Sequence, residues 1–528
     1  MPAVNERLAK SLEELRRLQQ DGSRVFTSSQ FARGTRERLI RNGFLLEVIR
    51  GWLISSNPAS GPGDTTPWFS SFWDFCSRYC NDRFGEAWYL SPEQSLLLHA
   101  ENAVIPRQVL IHSPAGNNSA VQLLFGTSLF VLKVRDTPAP RDLVFKNGLR
   151  IHTVPAALVR VTEAFFRQHP LEAKIILGAI RDSSELLTRL LEGGHSTIAG
   201  RLTGAFRFLG EHTIADDIAA TMRAADHVVR ESNPFDPEEA FPPPLKAAPA
   251  IVSRLHAMWA AGREAVVDVF SSLRRPVASP SEYLQTLDDV YTLDAYHSLS
   301  IEGYQVTPEL IQRVATGVWD PELSETDREG RNALAARGYW LAFSRVRELV
   351  KQTLTTASPP DVRAGHREWY RELFAPHVNA GLLPATALAG YRNAPVYLRG
   401  SRHVPPRWEL LAEAMPALFD LIAEEPETPA RAVLAHWLFG YVHPYPDGNG
   451  RIARFLMNVL FASGGYPWTV IRVEERSEYL HALEAASVDG DVRPFATFVL
   501  SQMRKTQADV RRRASLRARR APRGSRKR

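Results

Sequence analysis

Apolar residues recur at helical spacing from the start of the chain. Leu8, Leu12, Leu15 and Leu18 predict a helix over residues 5–20. Thr27-Ser28-Ser29 offers a cap for a short second helix, and residues 36–41 read as a third, stopped by Asn42-Gly43. The pattern then changes: residues 44–49 and 52–54 read as two strands around a tight Arg50-Gly51 turn. Residues 88–99 read as a strand end running into a Pro-started helix. Apolar strands are expected at 109–112, 123–125 and 129–134, and residues 147–155 lead into another helix. Residues 155–231 are mostly helical by spacing. His152, His195 and His212 are scattered there and read as ordinary surface or core histidines.

Prolines 234, 237, 242, 243, 244 and 249 break this pattern, so residues 232–250 are expected as an extended, semi-rigid linker. Helical spacing resumes at 251–275. A longer helix is predicted over 281–302, with Pro280 near its first turn and Gly303 as its stop, and Thr307-Pro308-Glu309 starts the next. A helix capped at Thr428 ends near His443. Ile452, Phe455, Leu456, Val459 and Leu460 then fall on one face of a further helix. The expectation is a mainly α chain divided at 1–56, 57–231, 232–250, 251–329, 330–503 and 504–528.

At 528 residues the chain is too long for one core. Its 44% hydrophobic and 23% charged content suit a globular protein. Cys76 and Cys80 lie i, i+4 in an aromatic segment and read as reduced, packed thiols. There is no apolar run long enough for a membrane span, and the first residues lack a basic-then-apolar leader pattern. A cytoplasmic location without membrane attachment is the expectation. The net charge of +6 is uneven: residues 504–528 carry +11, leaving −5 on the rest. That Arg-rich stretch is expected to be disordered beyond about residue 510 and to favour nucleic acid or other acidic surfaces.

Candidate chemistry concentrates in His443-Pro-Tyr-Pro-Asp-Gly-Asn-Gly-Arg-Ile-Ala-Arg454. An imidazole can take a proton near neutral pH. Asp447 can hold a hard cation such as magnesium. Gly448 and Gly450 let backbone N–H groups approach an anion, and the loop feeds a helix N-terminus, itself an anion site. Arg451 and Arg454 are neighbours on that helix and can follow the charge of a polyphosphate outward.

The run resembles the Fic family signature HPFxDGNGRxxR, with Tyr445 for the usual Phe. Asn458 fits a polar position one turn on, and residues 390–400 followed by Pro405-Pro406 resemble the family's flap hairpin. The similarity spans roughly residues 280–503. The resemblance implies a helical core, with transfer of AMP from ATP, helped by Mg2+, to a protein hydroxyl. Carried across, His443 is the general base. Asp447 holds magnesium. Gly448, Asn449 and Gly450 cradle the phosphates, and Arg451 and Arg454 reach the outer ones. Val396, Tyr397 and Leu398 of the flap would pair with a target protein's backbone. Gly450 argues against the kinase-like members, which carry lysine there. Phosphocholine transfer and removal of AMP use nearly the same motif.

Ser298-Leu-Ser-Ile-Glu-Gly303 resembles the family's inhibitory motif, [S/T]xxxE[G/N]. Ser298, Glu302 and Gly303 are its fixed positions. Glu302 near a helix C-terminus opposes the dipole, so a cationic partner is expected. The resemblance names it as Arg454, with the pair taking the place of the γ-phosphate.

The helices and hairpin of residues 1–56 have the order of a winged helix-turn-helix, with Thr35, Arg36, Arg38 and Arg41 as candidate contacts to duplex DNA. Together with residues 57–231 they weakly resemble the AbiEi-type antitoxin regulators. The expected function is an autoinhibited AMP transferase fused to a DNA-binding regulator. The alternatives are a nucleotide-sensing regulator without transfer, and a hydrolase that removes AMP. A homo-oligomer would reveal itself by activity that rises on dilution.

Overall fold

The computed structural model describes residues 4–58, 63–135, 137–235, 248–273, 279–316 and 330–520, with 4–5 and 514–520 described by backbone alone. Most of the proline-rich linker and residues 521–528 lie outside the described residues. The chain divides into two compact units, Met1–Arg254 with Tyr397–Pro405, and Leu255–Val396 with Pro406–Arg528.

The first unit opens with helix Val4–Leu18, strand Val25–Thr27, helix Arg33–Arg41 and strands Leu45–Ile49 and Trp52–Ser55. The last strand lies between the other two, antiparallel to both. Leu15, Phe26, Phe31, Leu39, Leu45 and Leu53 form the shared core. The helix–hairpin order follows the sequence pattern. Strand 25–27 escaped it, because three residues are too few to show alternation. The short second helix is a single 3₁₀ turn, Ser28–Gln30.

Helix Thr66–Phe84 lays Trp68, Phe72, Phe75, Cys76 and Cys80 against a four-stranded sheet. Both cysteines are free and buried, and burial pushes the Cys80 thiol up to about 12, so it is inert near neutral pH. The sheet order is Tyr89–Leu90, Gln108–Ser113, Ser128–Lys133, Ser119–Gln122, and its two middle strands are parallel. The strand expected at 123–125 is instead a turn. Phe125 has φ 51°, and the Leu123 N–H donates to the Thr127 carbonyl at 2.9 Å. The apolar run there reverses the chain between the antiparallel strands 119–122 and 128–133. Six helices between Val154 and Ala224 then build a separate core around Phe165, Leu177, Leu190, Leu202 and Phe206.

Residues Tyr397–Pro405 belong to this first unit. Arg399 pairs with Asp64 at 3.2 Å, the Gly400 N–H donates to Thr65 at 3.0 Å, and the Ile105 N–H donates to the Arg402 carbonyl at 2.8 Å. His403 forms an isolated antiparallel bridge with Val104. Residues 389–407 contain no strand, so the flap takes the form of a turn-rich loop rather than a paired hairpin.

The second unit is helical. Arg331–Thr356 and Val362–Asn379 form one helical hairpin, and Thr428–Val442 and Asn449–Ser463 form another at the centre. Nearly every residue from Asn449 to Ala462 is buried, which explains the dense apolar pattern there. Around this pair pack helices Pro280–Ile301, Leu411–Glu424 and Arg493–Arg520. The basic stretch departs from its expected disorder: the last helix runs on through it to Arg520. Its start is anchored by buried Phe495, Val499 and Met503, so the costly nucleus already exists. Ala and Arg are good helix formers, and no proline follows until Pro522. No helix among the described residues is long and apolar enough to cross a membrane.

Candidate active site

Helix Thr428–Val442 stops at His443, a non-glycine residue with φ 51°. Left-handed backbone is unfavourable for a residue with a Cβ and persists where its surroundings hold it. Arg392 does much of the holding. Its Nε donates to the His443 carbonyl at 2.8 Å, its own N–H to the Pro444 carbonyl at 2.8 Å, and its Nη1 to the Ala394 carbonyl at 3.1 Å. Arg392 lies within the flap segment, where no local pattern marks it; only the fold brings residues 392 and 443 together.

The His443 Nδ1 lies 3.2 Å from the Gly440 carbonyl. A carbonyl can only accept, so Nδ1 carries the proton and Nε2 is left with its lone pair. Burial pushes the imidazole down to about 4, keeping it neutral at pH 7.

Gly448 caps the following helix with φ 80°, and the Phe374 ring lies where its Cβ would be. Glycine is therefore required twice over. Asn449 is 2% exposed and spends its amide on the loop: Oδ1 accepts from the Tyr445 N–H at 2.9 Å, and Nδ2 donates to the Tyr445 carbonyl at 2.7 Å. Any phosphate cradle here must come from backbone. Asp447 keeps an exposed carboxylate whose Oδ1 takes the Gly448 N–H and, at 3.3 Å, Arg451 Nη2.

Arg451 is wholly buried, its guanidinium 5.3 Å from the Tyr304 ring centre and 5.1 Å from that of Phe374. Its Nε and Nη1 have no hydrogen-bond partner, and neither has Nη1 of Arg454. Buried donors without acceptors are costly, and an anion at the helix N-terminus would supply acceptors.

Arg454 is otherwise fully engaged. Its Nε donates to Ser298 Oγ at 2.9 Å, and Nη2 donates to the Ser298 carbonyl at 3.0 Å and to Glu302 Oε1 at 2.7 Å. Glu302 is the C-cap of helix Pro280–Ile301, one residue beyond its predicted place in the last turn, and Gly303 follows at φ 88°. A Cβ on Gly450 would overlap the Glu302 carboxylate. The carboxylate therefore rests on the helix N-terminus that begins at Asn449. Behind it, Asp294 accepts from the Tyr339 hydroxyl at 2.7 Å, and burial raises Asp294 to about 6.

Two supports complete the frame. Asn458 fixes the chain beyond the helix by accepting the Thr469 N–H at 2.7 Å and donating to the Thr469 carbonyl at 2.9 Å. His436 is packed, 3.0 Å from the Tyr479 hydroxyl.

The structure thus brings together His443, Asp447, Gly448, Asn449, Gly450, Arg451, Arg454, Ser298 and Glu302. Tyr397 and Leu398 fall with the first unit, and Val396 with the second. Of the DNA candidates, Thr35 donates to Glu14 at 3.1 Å, Arg38 to the Arg7 carbonyl at 3.3 Å, and Arg36 to the Ser28 carbonyl at 3.4 Å. These three brace their own module, while Arg41 is exposed.

Residues 358–461 match the model of the Fic/DOC family. Those residues hold the central helices and the loop between them, so the region of the candidate site is what is similar to that family. The chain is 31% identical over 220 residues to the protein adenylyltransferase Fic of Nematostella vectensis, covering 41% of this chain and 47% of that one. It is 39% identical over 120 residues to that of Drosophila willistoni, covering 22% and 24%. The chain therefore matches less than half the length of these relatives. Among solved structures, Fic-1 (residues 134–508) from C. elegans matches at 21% identity and TM-score 0.36, covering 67% of this chain and 99% of that one.

Proposed function

We propose that the chain is an autoinhibited protein adenylyltransferase, moving AMP from ATP to a Ser, Thr or Tyr hydroxyl of a target protein. The observation that carries this is the Glu302–Arg454 pair, seated on Gly450 beside a neutral His443. Nε2 of His443 takes the proton of the incoming hydroxyl, worth about 10²–10⁴ in rate. The oxygen attacks the α-phosphorus, and pyrophosphate leaves. Backbone N–H groups at the Asn449 helix start and the unpartnered guanidinium nitrogens of Arg451 and Arg454 bear the phosphate charge.

Asp447 suits Mg2+ because it is an exposed carboxylate at the loop edge. Magnesium is commonly held by one or two carboxylates plus substrate phosphates, so no protein cage is required. Bound there, it would neutralise phosphate charge.

Glu302 restrains this chemistry by holding Arg454 and occupying the space over Gly450. Its removal should free both for the outer phosphates. Labelled-ATP transfer by Glu302→Gly against the parent tests the proposal, and equal activity would contradict it.

For the first unit we propose a duplex-DNA-binding regulator, joined to a basic C-terminal helix. The support is its helix order and three-stranded sheet, with Arg41 exposed on helix 33–41. Salt-dependent binding of duplex DNA, measured on a chain shortened at residue 505, tests it.

A further inference from the structure

Tyr445 departs from the phenylalanine of the family pattern by one oxygen, and that oxygen has no hydrogen-bond partner. The residue is 1% exposed, its ring stacked on Tyr370 with centroids 3.9 Å apart. Tyr445 is among the residues lining a cavity of about 330 Å³, together with Arg367, Tyr370, Arg371, Leu388 and Tyr391. Tyr445 is the one residue of the motif in that lining.

Hydrogen-bond accounting identifies which groups are free. Tyr370 donates to the Ala387 carbonyl at 2.8 Å. His366 keeps its proton on Nδ1, 3.1 Å from the Val362 carbonyl, so its Nε2 accepts from the Tyr391 hydroxyl at 2.9 Å. The Arg367 guanidinium lies over the Tyr391 ring, 5.3 Å from its centre. What remains is the Tyr445 O–H and the exposed Arg371 guanidinium, both donors. The acids of this helix, Glu368 and Glu372, are engaged with Arg345. Arg367 and Arg371 are therefore like charges at i, i+4 without a nearby counter-charge from their own helix, an arrangement that favours an anion. Asp447 is the acid that acts on Tyr370 from the loop side.

We propose that this cavity binds a small phosphate-bearing anion, whose oxygens accept from the Tyr445 hydroxyl and the Arg371 guanidinium. Its volume lies at the lower end of small-ligand pockets and exceeds the ~30 Å³ share of one water about tenfold. Phosphate suits the lining better than carboxylate. It offers three acceptor oxygens and up to two negative charges to a wall of donors carrying two guanidinium groups. The aromatic faces of Tyr370 and Tyr391 can flank the remainder of an ester.

The test is titration calorimetry of the full chain with pyrophosphate and with inorganic phosphate at constant ionic strength, using the parent, Tyr445→Phe, Arg371→Gln and Arg454→Ala. Saturable binding is expected, weakened about tenfold or more by Tyr445→Phe and by Arg371→Gln, and retained in Arg454→Ala. Inorganic phosphate binding as tightly as pyrophosphate would support the same oxyanion recognition and assign the free ion. Absence of saturable binding would overturn the proposal. So would binding unchanged in both cavity variants, or lost only in Arg454→Ala, which would place the anion at the nucleotide loop. If Tyr445→Phe fails to fold, the exposed Arg371→Gln decides.

Discussion

Oε1 of Glu302 stands 2.7 Å from Nη2 of Arg454, and the arginine is 3% exposed. The two residues are 152 positions apart, yet the pair resolves two local misfits at once. A carboxylate at a helix C-cap opposes the dipole, and a buried guanidinium needs a counter-charge. Breaking one partner leaves the other uncompensated, so the pair holds until something else supplies negative charge.

His443→Ala should abolish AMP transfer while leaving ATP affinity nearly unchanged, because the imidazole acts in the chemical step and the loop binds the phosphates. Single-turnover transfer and equilibrium ATP binding, measured on one preparation, separate the two. Transfer within tenfold of the parent at saturating ATP would remove His443 as the base.

The acid limb of activity should lie unusually low. A general base works when neutral, and His443 sits at about 4 in the folded protein rather than near 6.5. Falling pH therefore protonates it late. In a Glu302→Gly background, kcat/KM should stay level from pH 7.5 to below 6 and fall only as pH approaches the folded value. Loss of that carboxylate, which favours the charged imidazole, shifts the limb no higher. A midpoint near 6.5 would contradict the buried, neutral base.

Gly450→Ala should destabilise the parent by about 1–3 kcal/mol, since the new methyl overlaps the Glu302 carboxylate. Glu302→Gly in the same chain removes that neighbour and should recover most of the loss. Urea midpoints of the four chains give the coupling directly. Additive effects would mean that the carboxylate does not rest on residue 450.

Much of the second unit was legible in the sequence. The spacing of Ile452, Phe455, Leu456, Val459 and Leu460 located the central helix, and the family resemblance paired Glu302 with Arg454, while the Ser298 bonds to Arg454 emerge only from the structure. Local pattern failed where long-range contact decides. Arg392 sits 51 residues before His443 and is recognised only by the carbonyls it gathers. Asn449 looked like a phosphate ligand because nothing local reveals that Tyr445's backbone uses its amide. The turn at 123–125 passed for a strand because an apolar run carries no sign of reversal. The basic stretch passed for disorder because composition does not report the helix already nucleated before it.

In the first unit the candidate DNA contacts divide by geometry. Arg38→Ala should lower the module's stability, because its guanidinium ties helix 33–41 to Arg7 and Ser11 of the first helix. Arg41→Ala should leave stability unchanged and reduce the salt slope of duplex-DNA binding by about one. Equal stability of Arg38→Ala and the parent would mean that Arg38 is free for DNA.

The most direct test of autoinhibition compares AMP transfer from labelled ATP by the parent, Glu302→Gly, Arg454→Ala and the double variant, with Mg2+ and at several protein concentrations. Glu302→Gly is predicted to exceed the parent by at least about tenfold, as expected when one charge-assisted contact of about 1.5–3 kcal/mol stops competing with ATP. Arg454→Ala in the same chain should cancel the gain, because the freed arginine is what the outer phosphates need. Activity of the parent that rises on dilution would place the restraint in an oligomer. Parent and Glu302→Gly transferring AMP at the same rate at every concentration would contradict the account.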